Sequence, residues 1–265
     1  MKATAIAALV LAGSTSAPLP VALVSHRAIY DIALDHATGS DFVAAQGRMA
    51  VQFKDTCDGW TTAQRLIADM TDSKGLSTRT GFFVTAWESK DGRTMRFDVS
   101  DRSNGKVVTR RRGVAALDAS GAGRVEYANG SHAAILLPKG TEFPTSQILG
   151  ILDAAVSGKT TFRHVVFQGG DRSSLNFSTA VIGKAPDAAK LSSDRTADKN
   201  DLLRDARGWN ALIGFYPLNA RAEQPDYEVA TRLFLNGISG SMSLIYRTYT
   251  LRATLIRLEA VHPSC

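Results

Sequence analysis

Asp91-Gly92, Asn104-Gly105, Asn129-Gly130, Gly169-Gly170 and Asn236-Gly237 punctuate this chain, each between runs in which apolar and polar residues alternate. A type I′ turn needs φ > 0 at both central positions, and these dipeptides meet that need. One pair could be chance. Several, spread over most of the chain, dictate an antiparallel meander. The flanking runs are Phe82 to Lys90, Arg93 to Asp101, Lys106 to Leu117, Val125 to Ala128, Ser131 to Leu137, Phe162 to Gln168, Ser174 to Ile182 and Tyr227 to Leu235. Upstream, Met49, Val51 and Phe53 alternate onto one face, and Cys57-Asp58-Gly59-Trp60 turns the chain into Thr61 to Met70. Downstream, Leu244 to Leu258 holds β-branched and aromatic residues without Gly or Pro, and reads as one long strand stopped at His262-Pro263.

One segment breaks the period of two. After Phe143-Pro144, Thr145 is a candidate N-cap, and Ile148, Ile151, Leu152 and Ala155 recur at helical spacing until Gly158, a fit for C′. Leu149 and Val156 widen the stripe. A helix apolar over so much of its girth belongs against or inside the sheet. Inside a curled sheet it either plugs part of a lumen, with Ile148, Ile151 and Leu152 as cavity walls, or completes a dry core.

The start bears on compartment. Met1-Lys2, an apolar run from Ala5 to Ala12 and Gly13-Ser-Thr-Ser-Ala17 have the form of a secretory signal peptide, so residues 1–17 are expected to be cleaved and 18–265 to form a single domain. The apolar run is far below the ~20 residues that span a bilayer, and no later stretch reaches that length. The expectation is an exported, periplasmic protein without a membrane span. In an oxidising space its two cysteines, Cys57 and Cys265, favour one disulfide over a metal or redox site. The formal charge of +6 permits attraction to anionic lipids or polymers without showing it.

No motif carries catalysis. Ser157-Gly158-Lys159-Thr160 resembles the end of a P-loop but closes a helix, and so offers carbonyls to a phosphate. Gly237-Ile-Ser239-Gly240-Ser241 lacks the last glycine of a nucleophile elbow. The five histidines, His26, His36, His132, His164 and His262, are scattered with no metal-ligand spacing. Arg110-Arg111-Arg112 reads as a solvated tip, and nothing points to nucleic acid, a metal or a cofactor.

Ser25-His-Arg-Ala-Ile-Tyr-Asp-Ile32, Gly47-Arg-Met49, Cys57-Asp-Gly-Trp60 with Gln64-Arg65, the Phe143-Pro-Thr145 entry to the helix and a terminal cysteine after a long last strand together resemble the EipB family of periplasmic cell-envelope integrity proteins. The resemblance covers nearly the whole mature chain. It implies an all-β, single-domain spiral or broken barrel of about fourteen strands around one apolar helix, with Cys57 and Cys265 joined. It further implies a non-catalytic role in envelope integrity and stress resistance. A periplasmic TPR-repeat protein and a lipid-like ligand are the implied partners. The alternative reading is a hydrolase acting on an envelope lipid or polymer.

Overall fold

The structure is a computed structural model that describes residues 21–38, 42–130, 132–183, 200–218 and 224–263. The expected signal peptide, residues 184–199 and Cys265 lie outside the described residues.

The first strands are β1 (His26–Ala37), β2 (Phe42–Asp55), β3 (Gly59–Asp72), β4 (Ser77–Ser89), β5 (Thr94–Ser103), β6 (Lys106–Leu117), β7 (Gly123–Tyr127), β8 (Ile135–Leu137) and β9 (Thr141–Glu142). The helix α1 (Pro144–Val156) follows. After it come β10 (Thr161–Phe167), β11 (Leu175–Ile182), β12 (Gly208–Pro217), β13 (Tyr227–Phe234), β14 (Ser239–Tyr246) and β15 (Tyr249–Ala260). All fifteen strands form one sheet in the order β8-β7-β6-β5-β4-β3-β2-β1-β15-β14-β13-β12-β11-β10-β9. Two meanders therefore run outward from a central β1–β15 pair, and every pairing is antiparallel except β9 with β10.

The sheet curls until its two ends meet. Tyr127 Oη on β7 donates to Gly170 O in the β10–β11 turn at 2.8 Å. Phe97 on β5 sets its edge against Phe167 on β10 with ring centroids 5.6 Å apart. The Gly140 N–H reaches Ser120 O at 2.9 Å. The result is a barrel with a seam rather than a full ring of strand pairing.

The last strand differs from the sequence expectation. Leu244 to Leu258 is not one strand but two, β14 and β15, folded back at Arg247-Thr248. That turn uses none of the Gly, Asn or Asp residues that announce the others. Instead Tyr246 and Tyr249 stack across it at 4.8 Å, and Thr248 O accepts the Thr38 N–H. This adds a strand to the expected fourteen.

The helix start is also corrected. The residue preceding the first turn is Phe143, with no side-chain cap, and Pro144 opens the helix; Thr145 lies within it. The capping group comes from elsewhere in the sheet. Glu88 on β4 accepts the Thr145 N–H at 2.9 Å and the Thr145 hydroxyl at 2.8 Å. A long-range carboxylate thus takes the place of a local cap, consistent with the affinity of helix N-termini for negative charge.

The helix and two connecting segments close one end of the barrel. Ile151, Leu152, Ala154 and Ala155 pack with Val166, Ala180, Trp209 and Ile213, joined by Val21 and Leu23. Beside them Leu203 enters a second cluster with Phe234, Ile238 and Leu258, held by Asn236 Nδ2 donating to Leu202 O at 2.7 Å. Among the described residues no helix crosses the opposite end.

Candidate functional site

That second end forms the candidate site, and strand register defines it. Along β1, Ala28, Tyr30 and Ile32 are buried while Arg27, Asp31 and Ala33 are exposed, so even positions face inward. Carried across the ladder, this parity places Met49, Leu66 and Phe82 in one inward row, and Leu34, Leu251 and Leu244 in another. Nearer the helix such positions are dry. Toward the other end the rows are mixed: Ala45, Met70 and Leu251 stay buried, whereas Leu34, Leu66, Leu244 and Tyr246 are half-buried and Phe82 is 37% exposed. Inward-facing apolar residues that still meet solvent describe the wall of an open cup.

An aromatic ladder lines one side of this cup. Phe215 stacks on Tyr227 at 4.5 Å, Tyr227 faces Tyr246 at 6.2 Å, and Tyr249 meets Phe42 edge-on at 5.6 Å. Burial pushes the Tyr246 hydroxyl up to about 12, so it stays a neutral donor. Tyr227 is raised for the same reason, and its hydroxyl donates to Gln168 Oε1 at 2.7 Å.

Between α1 and β9–β11 lies a buried polar group of Glu142, Gln147, His164, Asn176 and Ser178. Gln147 Nε2 donates to Ser178 Oγ at 3.0 Å, while both ring nitrogens of His164 lack a partner, as do Glu142 Oε2 and Asn176 Oδ1. Burial holds His164 down to about 4, hence neutral, and raises Glu142. Glu, His and Ser are the residue types of a hydrolase triad, but the wiring differs. His164 Nε2 stands 3.9 Å from Glu142 Oε2, no hydrogen bond links the ring to Ser178, and Ser178 is fully buried. Among the described residues no group of three or more His, Cys, Asp or Glu could hold a metal ion.

Two grooves open outside. One, of about 430 Å³, sits at the seam among Leu136, Pro138, Leu175, Pro217 and Leu218. The other, of about 560 Å³, lies on the outer face beside Trp87, over which Arg96 stacks at 5.0 Å. Neither includes Ile148, Ile151 or Leu152. Those side chains lie at the plugged end, where Ile151 and Leu152 are at most 1% exposed and Ile148 is half-buried. The open-end residues were missed in the sequence because alternation there looks the same as in any half-buried sheet; only curvature distinguishes them.

Cys57 is exposed at the β2–β3 turn with φ of 65°, and the neighbouring Asp55 N–H bonds Ser25 Oγ at 2.9 Å. Ser25 O in turn accepts the Val261 N–H at 3.0 Å. The end of β15 thus lies two strand spacings, about 10 Å, from β2.

A seamed β-barrel plugged at one end by a helix, with an apolar cup at the other, is the class of protein that this architecture defines. The chain belongs to the EipB-like family, whose model matches residues 17–262. It is 27% identical over 252 residues to the cell envelope integrity protein EipB of Brucella abortus (strain 2308), covering 94% of this chain and 88% of that one. It also matches the crystal structure of a beta-barrel-like protein of domain of unknown function DUF1849 from Brucella abortus. That match has a TM-score of 0.81 at 27% identity and covers 91% of this chain and all of the other.

Proposed function

We propose that this protein is a non-catalytic periplasmic component that supports cell-envelope integrity and stress resistance by holding an apolar, lipid-like ligand in the open cup. The observation that carries the reading is the set of inward-facing residues Leu34, Leu66, Phe82, Leu244 and Tyr246, none of them fully buried. A barrel that needed only a core would bury them. The envelope role rests on the relative named for cell envelope integrity, and the placement on the signal-like residues 1–17. A disulfide between Cys57 and Cys265 belongs to the same proposal. Residues 262–265 can span up to about 13 Å when extended, enough to cross the two strand spacings from Val261.

Mass spectrometry of organic extracts from gently purified protein tests the ligand. The expected result is a reproducible acyl species at near-stoichiometric amount, together with saturable uptake of a fluorescent fatty acid. Protein that is empty, takes up no apolar probe and cleaves ester or peptidoglycan substrates would overturn the proposal in favour of a hydrolase.

A further inference from the structure

The rim of the cup carries apolar side chains where a water-facing hairpin tip would be expected to be polar. Leu76, at the β3–β4 turn, is 66% exposed; Val107 and Val108, just past the β5–β6 turn, are 50% and 63% exposed. Val43 on the adjoining strand β2 is 59% exposed. Consecutive strand residues point to opposite faces. Val108 is the extra residue of a β-bulge between the Arg102–Val107 and Asp101–Thr109 pairs, so alternation breaks there and both valines are left exposed to solvent. A Cβ added at Gly75 or Gly105 would meet nothing within 4 Å, so both tips project into open space.

The two tips form one surface. Asn104 N–H donates to Arg79 O at 2.8 Å and its Oδ1 accepts the Arg79 N–H at 3.1 Å, tying the hairpins together. Asp72 turns back to accept the Lys74 and Leu76 N–H groups at 2.9 and 2.8 Å, Asp69 pairs with Arg79, and Asp101 takes the Thr109 hydroxyl. Lys74 and Lys106 are exposed and have no ion-pair partner among the described residues. Asp72 and Asp101 keep their charge but direct it onto donors within the tips, Asp69 is neutralised by Arg79, and the exposed lysines Lys74 and Lys106 stand unpaired beside the exposed Leu and Val residues.

We infer that this rim docks on an anionic lipid bilayer, with Leu76, Val107 and Val108 entering the headgroup boundary and Lys74 and Lys106 paired with lipid phosphates. A lone apolar patch could suit any partner; free lysines flanking it select a surface that is apolar within and negative outside. Docked this way, the mouth of the cup faces the lipid. The inference does not depend on the cup holding a ligand, since the tips and the inner wall are different residues.

Flotation of the full chain with phosphatidylcholine vesicles, with and without phosphatidylglycerol, tests it. The wild-type protein is expected to float with the anionic vesicles and to be released by salt. The Lys74→Gln/Lys106→Gln pair should lower that binding roughly 25-fold, at about fivefold per lysine. Leu76→Asp/Val108→Asp should abolish it while circular dichroism, melting and fatty-acid uptake stay unchanged. Absence of wild-type binding to anionic vesicles, or binding that survives Leu76→Asp/Val108→Asp, would overturn the inference. So would dimerisation that these two substitutions remove in a protein that ignores vesicles.

Discussion

Glu88 joins the plug to the wall, and replacing it by Gln tests whether that joint is titratable. Its carboxyl is 2% exposed and accepts three donors from the helix start: the Thr145 N–H, the Thr145 hydroxyl and the Ser146 N–H. Burial outweighs these bonds and pushes the group up from 4.5 to about 7. The folded chain then holds this proton more tightly than the unfolded one. The stability it contributes is complete below pH 4.5, is lost as pH rises through about 7, and is constant above. At 1.36 kcal/mol per pH unit the loss is about 3 kcal/mol. His164 works the other way, because it is held down to about 4 and stability gained from its neutral form grows as pH rises toward 6.5. The wild-type curve is the sum of these opposing slopes, so the difference between proteins is the quantity to measure. Urea unfolding followed by tryptophan fluorescence at pH 4.5, 5.5, 7 and 8 should show Glu88→Gln gaining on the wild type by about 3 kcal/mol between the first and last values. Glu88→Ala leaves the helix donors without an acceptor and should be destabilised by roughly 3–5 kcal/mol at pH 4.5, a deficit that narrows by about 3 kcal/mol by pH 8 as the wild type loses its titrating contribution. A constant difference between Glu88→Gln and the wild type across this range would refute the burial argument.

Ile151→Ala should cost roughly 2–5 kcal/mol, since Ile151 is 1% exposed within the helix cluster, and should leave fatty-acid uptake intact at temperatures where the protein stays folded. Tyr246→Ala and Leu66→Lys, on the open wall, should instead change uptake with smaller losses in melting temperature. At Gly59 a Cβ would lie 2.5 Å from the Trp87 ring and 2.4 Å from Glu88 O, so Gly59→Val should prevent folding or shift the melting point sharply downward. Thiol labelling of denatured protein without reductant should find neither Cys57 nor Cys265 free, and full labelling would exclude the bond.

The hairpins were legible because their turns use residues chosen for φ > 0. Asn104-Gly105 (48° and 80°) and Gly169-Gly170 (80° and 123°) have both residues at positive φ as expected, whereas Asp91-Gly92 and Asn236-Gly237 turn with positive φ at the glycine alone, 69° and 81°. The Arg247-Thr248 turn escaped because neither residue adopts positive φ and aromatic stacking holds the reversal. β12 runs from Gly208 to Pro217 without a hairpin dipeptide at either end, and β9, two residues long, is below any periodicity. The helix was legible in its apolar stripe but not in its cap, because Glu88 lies fifty-seven residues from Thr145 and no local pattern can announce a partner at that distance. The cup was not legible for a related reason: Leu66 and Met70 occupy equivalent alternating positions on β3, and nothing in the alternation tells which is half-buried and which is buried.

The pairing of β1 with β15 at the centre of the sheet sets the order of assembly. Each meander can zip from its own short turns as soon as its strands exist. Until β15 arrives, β1 has one row of backbone donors and acceptors open along its length, and β14 has the same. Those two edges are complementary within the chain and equally open to any other strand. The time between the emergence of β1 and of β15 is thus the period of greatest exposure to misassembly, and chain closure across this distance makes folding slow relative to the local hairpins. Pulse-labelled hydrogen exchange during refolding should find the β3–β6 amides protected before those of the β1–β15 ladder.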